Sequence, residues 1–204
     1  MQVNAFNPLI AILAAGNSKR FGGIKMTAKI KTASGSLTLV EFAYTKIADL
    51  PFNKWLATGA YHDQILRCGL KDIKLVNCPN AHKGIGHTIS ELALKVAQQD
   101  HYTHLMLCLA DHAGITASVY QHLINSAKLY PEKIICIEAD FGLSVPAIFP
   151  AAYFPELIEM SGDIGAKNIL AKHRKDIYAL SYPNGFDDID TKEALDNWNN
   201  HSIN

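Results

Sequence analysis

The sequence predicts an α/β protein with a three-layer α/β/α architecture, in which the middle layer is a doubly wound, mostly parallel sheet. Short apolar runs alternate with amphipathic helical patterns, and most of the runs lack the polar alternation of a half-exposed strand. A βαβ order implies parallel strands with right-handed crossovers, and therefore helices on both faces of the sheet. The predicted strands cover residues 9–13, 54–58, 73–77, 104–109, 133–138 and 177–181.

Helices are predicted between and after these strands. Amphipathic patterns cover residues 38–50, 63–68, 88–99 and 116–130, and later helices are predicted at 151–160, 165–173 and 191–200. The segment 146–150 begins and ends with proline, which lacks a backbone N–H, so we expect an edge strand or an excursion beside a site. Ligands of such sheets bind at the carboxyl ends of the strands. The loops that follow the strands are therefore the candidate functional segments.

Length and composition bound the class of protein. A chain of 204 residues, 49% hydrophobic and 19% charged, predicts one globular domain over residues 1–204 with a substantial core. The 19 basic and 19 acidic residues balance, which excludes a broad electrostatic grip on nucleic acid or on an anionic membrane. A small basic pocket for one phosphorylated ligand is compatible with this balance.

The cysteines and the first apolar segment bear on the compartment. Cys68, Cys78, Cys108 and Cys136 are widely spaced and form no CxxC pair, which is typical of reduced thiols. The apolar segment 8–16 has no basic residue before it, since the first is Lys19, which disfavours a targeting signal. The segment is also too short to span a bilayer, so we interpret it as a buried strand. We therefore expect a cytoplasmic protein with no membrane and no nucleic-acid partner.

The loop after the first predicted strand combines glycines with cations. Small residues around Gly16 allow the backbone to approach a ligand, and Lys19, Arg20 and Lys25 add positive charge. This composition favours triphosphate binding, although a solvated turn with surface cations fits it as well. A Walker A ending and a GxGxxG fingerprint are both absent, which disfavours a P-loop NTPase and a conventional NAD-dependent dehydrogenase.

Acidic residues stand at two further candidate positions. Asp111 follows the apolar run 104–109, where a carboxylate is costly to bury without a partner such as Mg²⁺. A helix N-cap or a solvated strand end fits the same position. The acidic cluster 187–190 precedes the last predicted helix, and N-capping of that helix is its simplest interpretation.

The motifs along the chain resemble one family. Residues 13–25 read LAAGNSKRFGGIK and resemble the L-A-A-G-x-S-x-R-F-G-x-x-K signature of the MobA-like nucleotidyltransferases, most closely the molybdenum-cofactor cytidylyltransferases of the MocA type. Segments 77–88, 110–113, 146–149, 161–167 and 187–191 resemble further motifs of this family in the same order. The resemblance covers nearly the whole chain and implies a Rossmann-like nucleotide-diphospho-sugar transferase fold.

The resemblance implies roles for individual residues. It implies that Arg20, Lys25 and Asp111 are catalytic, and that Asp111 and Asp190 hold Mg²⁺ or Mn²⁺. Two carboxylates and a triphosphate suit a hard divalent cation. Nucleotide contacts are implied for Leu13, Ala14, Ala15, Gly16, Asn77, Gly84, Gly86 and Thr88. The acceptor side is implied at Gly162, Asp163 and Gly165.

The sequence departs from the family pattern at four positions, one of which is Thr88, where serine is usual. Cys78 is an extra residue inside the 77–88 motif, and Ala113 stands where the family has proline after its metal-binding aspartate. Ser144 stands where glycine is frequent before the P-V-L-F segment. Ala113 leaves the geometry of the loop after Asp111 open.

The resemblance implies a reaction and its partners. The implied activity is transfer of CMP, or another NMP, from an NTP to the terminal phosphate of molybdopterin, with release of pyrophosphate and CTP as the favoured nucleotide. A related nucleotidyltransferase with a sugar phosphate or alcohol phosphate as acceptor is an alternative, and a non-catalytic nucleotide-binding protein is another. The family further implies a monomer that meets a molybdoenzyme or chaperone transiently. Base selectivity stays open.

Overall fold

The computed structural model describes residues 5–183 and 186–201. The predicted domain 1–204 also includes residues 1–4, 184–185 and 202–204, which lie outside the described part. The strands are β1 (Pro8–Leu13), β2 (Lys29–Thr32), β3 (Gly35–Thr38), β4 (Lys54–Thr58), β5 (Lys74–Asn77), β6 (His104–Leu109), β7 (Ile134–Ala139), β8 (Gly142–Pro150) and β9 (Ile177–Ser181). The helices are α1 (Leu39–Thr45), α2 (His62–Leu66), α3 (Ile85–Ala97), α4 (Ala117–Leu129), α5 (Phe154–Ile158), α6 (Lys167–Lys172) and α7 (Lys192–His201).

The main sheet has seven strands in the order β5-β4-β1-β6-β8-β7-β9. All of its pairs are parallel except those of β8, which runs antiparallel to both of its neighbours. This confirms the predicted mostly parallel, doubly wound α/β architecture. The carboxyl ends of β1, β4 and β6 therefore meet at one edge of the sheet, where ligands of this fold class bind.

Successive side chains of β1 enter two separate cores. Ile10 and Ile12 pack with α1, α4 and α7 on one face, whereas Leu9, Ala11 and Leu13 pack with α3, α5 and α6 on the other. A strand covered on both faces needs apolar residues at every position, because its side chains alternate between the faces. This is the physical reason for the unbroken apolar run in the sequence.

The proline-flanked segment 146–150 is not an edge strand, so that expectation is wrong. It belongs to β8, which lies between β6 and β7. The pairing register with β7 shifts from Cys136–Ala147 to Ile137–Ser144, and Pro146 falls inside this irregularity. The missing N–H of proline therefore interrupts no regular stretch of the ladder, which is how an interior strand tolerates it.

The hairpin of β2 and β3 was not predicted. Its two four-residue strands pair antiparallel and lie between a short 3-10 turn, Lys25–Thr27, and α1. Thr38 ends the hairpin and begins α1 through a capping box, in which its hydroxyl accepts from Glu41 N and the Glu41 carboxylate accepts from Thr38 N. The hairpin thus connects the loop after β1 to the first helix.

None of the helices in the described ranges has both the length and the apolar character that crossing a membrane requires.

Candidate active site

A cleft of about 480 Å³ opens at the carboxyl edge of the sheet, beside β1 and β6. The loop after β1 forms one wall, and the start of α3 with the 3-10 turn before it forms another. The predicted site residues that line the cleft are Leu13, Ala14, Ala15, Gly16, Arg20, Lys25, Gly84, Thr88, Asp111, Asp163 and Asp190. Segments far apart in the sequence therefore meet at one concave surface, as expected of a substrate site.

The loop after β1 is folded back on itself by Ser18. The Ser18 carbonyl accepts from Phe21 N at 3.0 Å, and its hydroxyl accepts from Lys25 N at 3.3 Å. Phe21 is buried in the core below the loop. These contacts carry the chain from the end of β1 to Lys25 and direct the Lys25 side chain toward β6. Ser18 is a positioning residue; it is the fixed serine of the 13–25 motif, but no role was predicted for it.

Lys25 joins the two carboxylates predicted to hold a metal. Its ammonium lies 2.6 Å from Asp111 Oδ2 and 3.0 Å from Asp190 Oδ1, and its side chain is only 9% exposed. Arg20 adds a second contact, with its guanidinium 2.9 Å from Asp190 Oδ2 and its side chain 75% exposed. Two cations and two carboxylates therefore alternate across the cleft floor, and the buried lysine is the centre of the group.

The two aspartates come from segments that pair directly. Ile189 N donates to the Asp111 carbonyl at 3.0 Å, and Gly114 N donates to the Phe186 carbonyl at 2.7 Å. His112 and Asp188 form an antiparallel bridge between these two hydrogen bonds. The turn after β6 is thus attached to the segment before α7 by backbone hydrogen bonds. This pairing fixes Asp111 relative to Asp190.

His112 follows Asp111 and is buried against Phe186, with ring centroids 4.7 Å apart. Burial lowers the pKa of His112 to about 4, so its imidazole is neutral near pH 7. Burial and the Asp111 charge raise the pKa of Asp188 to about 6. His112 Nε2 lies 3.5 Å from Asp188 Oδ1, and His112 Nδ1 has no hydrogen-bond partner among the described residues. This histidine packs beside the site and is not placed as a general base.

Segment 77–88, predicted to contact the nucleotide, and segment 161–167, predicted to lie on the acceptor side, pack directly on each other. Gly86 N donates to the Gly162 carbonyl at 2.9 Å, and Gly162 N donates to His87 Nδ1 at 3.0 Å. Gly84 has a φ of 121° and lies so close that a Cβ there would collide with the Gly162 carbonyl oxygen. The glycines at 84 and 86 are therefore needed for this close backbone packing, which brings Asp163 to the cleft.

Four predicted residues lie outside the cleft lining: Asn77, Gly86, Gly162 and Gly165. Asn77 is exposed at the end of β5. Gly86 and Gly162 contribute to the packing between the two segments, and a Cβ on Gly165 would lie 3.7 Å from Ile85 Cγ2. Their assignments to nucleotide or acceptor stay predictions.

The donor set at the cleft floor fits a hard divalent cation. Asp111 and Asp190 already share one positive charge, the Lys25 ammonium, so both carboxylates face the same point. No group of three or more potential metal-ligating side chains occurs within residues 5–183 and 186–201. A cation held here would take its remaining ligands from substrate phosphates and water, which is the usual arrangement for Mg²⁺.

Lys46 is a second lysine beside the site, partly buried, and no pattern in the sequence indicates its role. Its Nζ donates to the His112 carbonyl at 3.0 Å and to the Ala113 carbonyl at 2.6 Å. Burial lowers the pKa of Lys46 to about 7, and the nearby charge of Asp187 partly opposes this shift. In the sequence it is one more cation in a helical pattern, because the hydrogen bonds that distinguish it depend on tertiary structure.

Comparison with known proteins agrees with this fold. The model of the MobA-like NTP transferase domain matches residues 10–177. The purine catabolism protein PucB of Bacillus subtilis (strain 168) is 26% identical over 196 residues, covering 90% of this chain and 92% of that protein.

Solved structures share the fold at lower identity. Rv0371c from Mycobacterium tuberculosis H37Rv superposes with a TM-score of 0.78 at 19% identity, covering 96% of this chain and 98% of that one. Its complex with manganese superposes with a TM-score of 0.75 at 17% identity, covering 96% and 99% of the two chains. Since the family model spans well over half of the sequence, this chain belongs to the MobA-like NTP transferase domain family, as its motifs predicted.

Proposed function

We propose that this chain transfers CMP, or another NMP, from an NTP to the terminal phosphate of a molybdopterin-type acceptor, and that it requires Mg²⁺ or Mn²⁺. The observation that carries the proposal is the cluster of Lys25, Asp111 and Asp190 in the cleft at the carboxyl edge of the sheet. Nucleotidyltransfer requires this combination, because a polyanion must be held by cations while carboxylates hold a metal. The preference for CTP rests on the MocA-type motifs.

The proposed reaction needs little acid–base chemistry. An oxygen of the acceptor phosphate attacks the α-phosphorus of the NTP, a new P–O bond forms, and the bond to the bridging oxygen breaks so that pyrophosphate leaves. A phosphomonoester has a second pKa of about 6, so the nucleophile is already ionised near neutral pH. The barrier is mainly that of bringing two anions together in line.

The residues of the cleft supply the positioning and the charge. Arg20 and Lys25 would neutralise the triphosphate, and the backbone from Leu13 to Gly16 would lie against its phosphates. Gly84 and Thr88 would border the base, and Asp163 would face the acceptor. Asn77, Gly86, Gly162 and Gly165 lie outside the cleft lining, and their proposed nucleotide and acceptor roles rest on the family motifs. Asp111 and Asp190 would hold the divalent cation. When bound, this cation supplies Lewis-acid polarisation of the phosphate oxygens; the complex of Rv0371c with manganese supports a metal of this kind.

A different acceptor is the second candidate. PucB, which is related to this chain over 90% of its length, is a purine catabolism protein. A related nucleotidyltransferase that uses another phosphorylated acceptor would need the same cluster of Lys25, Asp111 and Asp190. For either acceptor we propose a single domain over residues 1–204 that acts in the cytoplasm as a monomer, and for molybdopterin a transient molybdoenzyme or chaperone partner that receives the product.

A pyrophosphate-release assay tests these alternatives. The chain is incubated with each of the four NTPs, with Mg²⁺ or Mn²⁺, and with molybdopterin, a sugar 1-phosphate or no acceptor. Release that requires molybdopterin and is fastest with CTP is the expected result. Release only with the sugar 1-phosphate would favour the second candidate, and no release under any condition, despite nucleotide binding by calorimetry, would refute both.

A further inference from the structure

The ammonium of Lys46 connects α1 to the turn that carries Asp111. Lys46 caps the carboxyl end of α1, and its Nζ lies 4.3 Å from the centre of the Phe42 ring one turn earlier. From there it donates to two successive carbonyls of the turn, those of His112 and Ala113. Both carbonyls accept from the same ammonium. A movement of the turn would break one or both of these hydrogen bonds, so the contact stabilises a single conformation of the turn.

The turn that Lys46 holds is the one that sets the position of Asp111. Ala113 N donates to the Asp111 carbonyl at 2.9 Å, and Ile115 N lies 3.4 Å from the His112 carbonyl that also accepts from Lys46. The two carbonyls that Lys46 binds therefore belong to the residues directly after Asp111, in a turn that the Ala113 N to Asp111 carbonyl bond closes. A shift of those carbonyls would move the Asp111 carboxylate.

The same contacts extend to the second carboxylate. Ala113 N also lies 3.3 Å from the Asp187 carbonyl, and Gly114 N donates to Phe186 in the segment that leads to Asp190. Burial lowers the pKa of Lys46, and the negative charge of Asp187 partly opposes this shift. Lys46 thus stands where α1, the turn after β6 and the segment before α7 meet, although it touches neither carboxylate that would hold the cation.

We propose that Lys46 is a positioning residue, which fixes the Asp111 carboxylate relative to Asp190 so that the pair binds a divalent cation. This inference rests on the proposed function of Asp111 and Asp190. Residues that orient metal ligands without touching the metal typically contribute about 10- to 100-fold to metal affinity or activity. Loss of the Lys46 ammonium is expected to have an effect in this range.

Lys54 provides a matched control. Lys54 is buried, and its Nζ likewise donates to two backbone carbonyls, those of Leu50 at 2.6 Å and Phe52 at 3.1 Å. It lies at the amino end of β4, whereas the cleft lies at the carboxyl edge of the sheet. Lys54→Met therefore removes the same kind of contact and lowers stability without reaching the site.

The test compares Lys46→Met, Lys46→Arg and Lys54→Met with the unaltered chain. Calorimetric titration with Mn²⁺ in the absence of nucleotide is expected to show affinity about tenfold or more weaker for Lys46→Met. Lys46→Arg, which keeps cationic donors, and Lys54→Met should stay within about threefold of the unaltered chain. In turnover, Lys46→Met should lower kcat by about 10- to 100-fold while KM for the NTP changes less than about threefold.

Circular dichroism first establishes which variants are folded at the assay temperature. If Lys46→Met is unfolded, Lys46→Gln, which keeps one donor of reduced strength, takes its place with the same expected direction. Mn²⁺ affinity equal to that of the unaltered chain in the folded variant would overturn the proposal, and so would an equal loss in Lys54→Met. Mn²⁺ binding without pyrophosphate release from the NTP in the presence of any acceptor would refute the proposed function alone, since the affinity comparison would still stand.

Discussion

The Lys25 ammonium lies 2.6 Å from Asp111 Oδ2, although 86 residues separate the two in the chain. The contact forms because β1 and β6 are adjacent parallel strands, so the loops that follow them leave the same edge of the sheet. The same ammonium also contacts Asp190. A divalent cation that binds these carboxylates must therefore compete with Lys25, whereas a triphosphate would attract the lysine away from them.

Lys25→Met is expected to strengthen metal binding and weaken nucleotide binding. Two unit charges 4 Å apart repel by about 1 kcal/mol in water and by about 4 kcal/mol at an effective dielectric constant near 20, so removal of the ammonium from this open cleft should raise Mn²⁺ affinity by about tenfold or more. Turnover should fall by about 10²- to 10³-fold, because one charge that stabilises the reacting phosphates is lost. Titration with Mn²⁺ alone and with CTP measures both effects. Lys19→Met, which removes a cation from the cleft rim, should leave Mn²⁺ affinity nearly unchanged.

Asp111→Asn is expected to abolish most turnover and to interact with Lys25→Met. The substitution removes one carboxylate of the proposed metal site and leaves Lys25 with a single charged partner, so turnover should fall by at least about 10²-fold. Because the two residues touch, the double variant should lose much less activity than the product of the two single losses. Pyrophosphate release is measured for the unaltered chain, the two single variants and the double variant, which together form a double-mutant cycle. Asp196→Asn on the exposed side of α7 is the control, and full activity in Asp111→Asn would contradict the metal assignment.

Gly84→Ala is expected to destabilise the fold at the cleft. Its φ of 121° is unfavourable for a residue with a Cβ, and the added methyl group would collide with the carbonyl of Gly162. Backbone strain and overpacking together should lower the free energy of unfolding by about 2–4 kcal/mol. Urea unfolding measures the loss. Gly23→Ala is the matched control, since a Cβ there would meet none of the described atoms within 4 Å, and an equal loss in both variants would refute the packing argument.

His112 is expected to make the fold sensitive to acid. Its pKa is about 4 in the folded chain against an ordinary value of 6.5, so the unfolded chain binds more protons between these pH values. The contribution of His112 to the free energy of unfolding is therefore complete above pH 6.5. This contribution is lost as the pH falls toward 4, by about 2 kcal/mol at pH 5. Asp188 acts in the opposite direction, because its raised pKa of about 6 lets the folded chain take up a proton first.

Comparison of His112→Gln with the unaltered chain isolates the histidine contribution. Urea unfolding at pH 7.5 and pH 5 should show a smaller acid-induced loss in the variant, by about 2 kcal/mol. His122→Gln, an exposed histidine on α4, should behave like the unaltered chain. An identical pH dependence in His112→Gln would show that the buried imidazole does not control acid stability.

Much of the site could be predicted because its residues lie directly after apolar strands. The loop from Leu13 to Lys25 and the carboxylate of Asp111 follow β1 and β6, and the structure places both at the cleft. No role was predicted for Ser18, although it is a fixed position of the 13–25 motif, or for Lys46, because both roles consist of hydrogen bonds to particular backbone atoms. A hydroxyl or an ammonium has the same appearance in the sequence whether it is solvated or bound in this way.

By itself, the sequence determined the layered architecture and the chemistry of the loops at the carboxyl edge of the sheet. Continuous apolar runs such as residues 9–13 can be satisfied only by burial on both faces of a sheet, so the pattern specifies the layers. Only the tertiary structure decided that β8 enters the sheet between β6 and β7, and that Lys25 meets Asp111 and Asp190. Strand order and the pairing of distant segments depend on contacts between residues far apart in the chain, which local patterns of hydrophobicity do not encode.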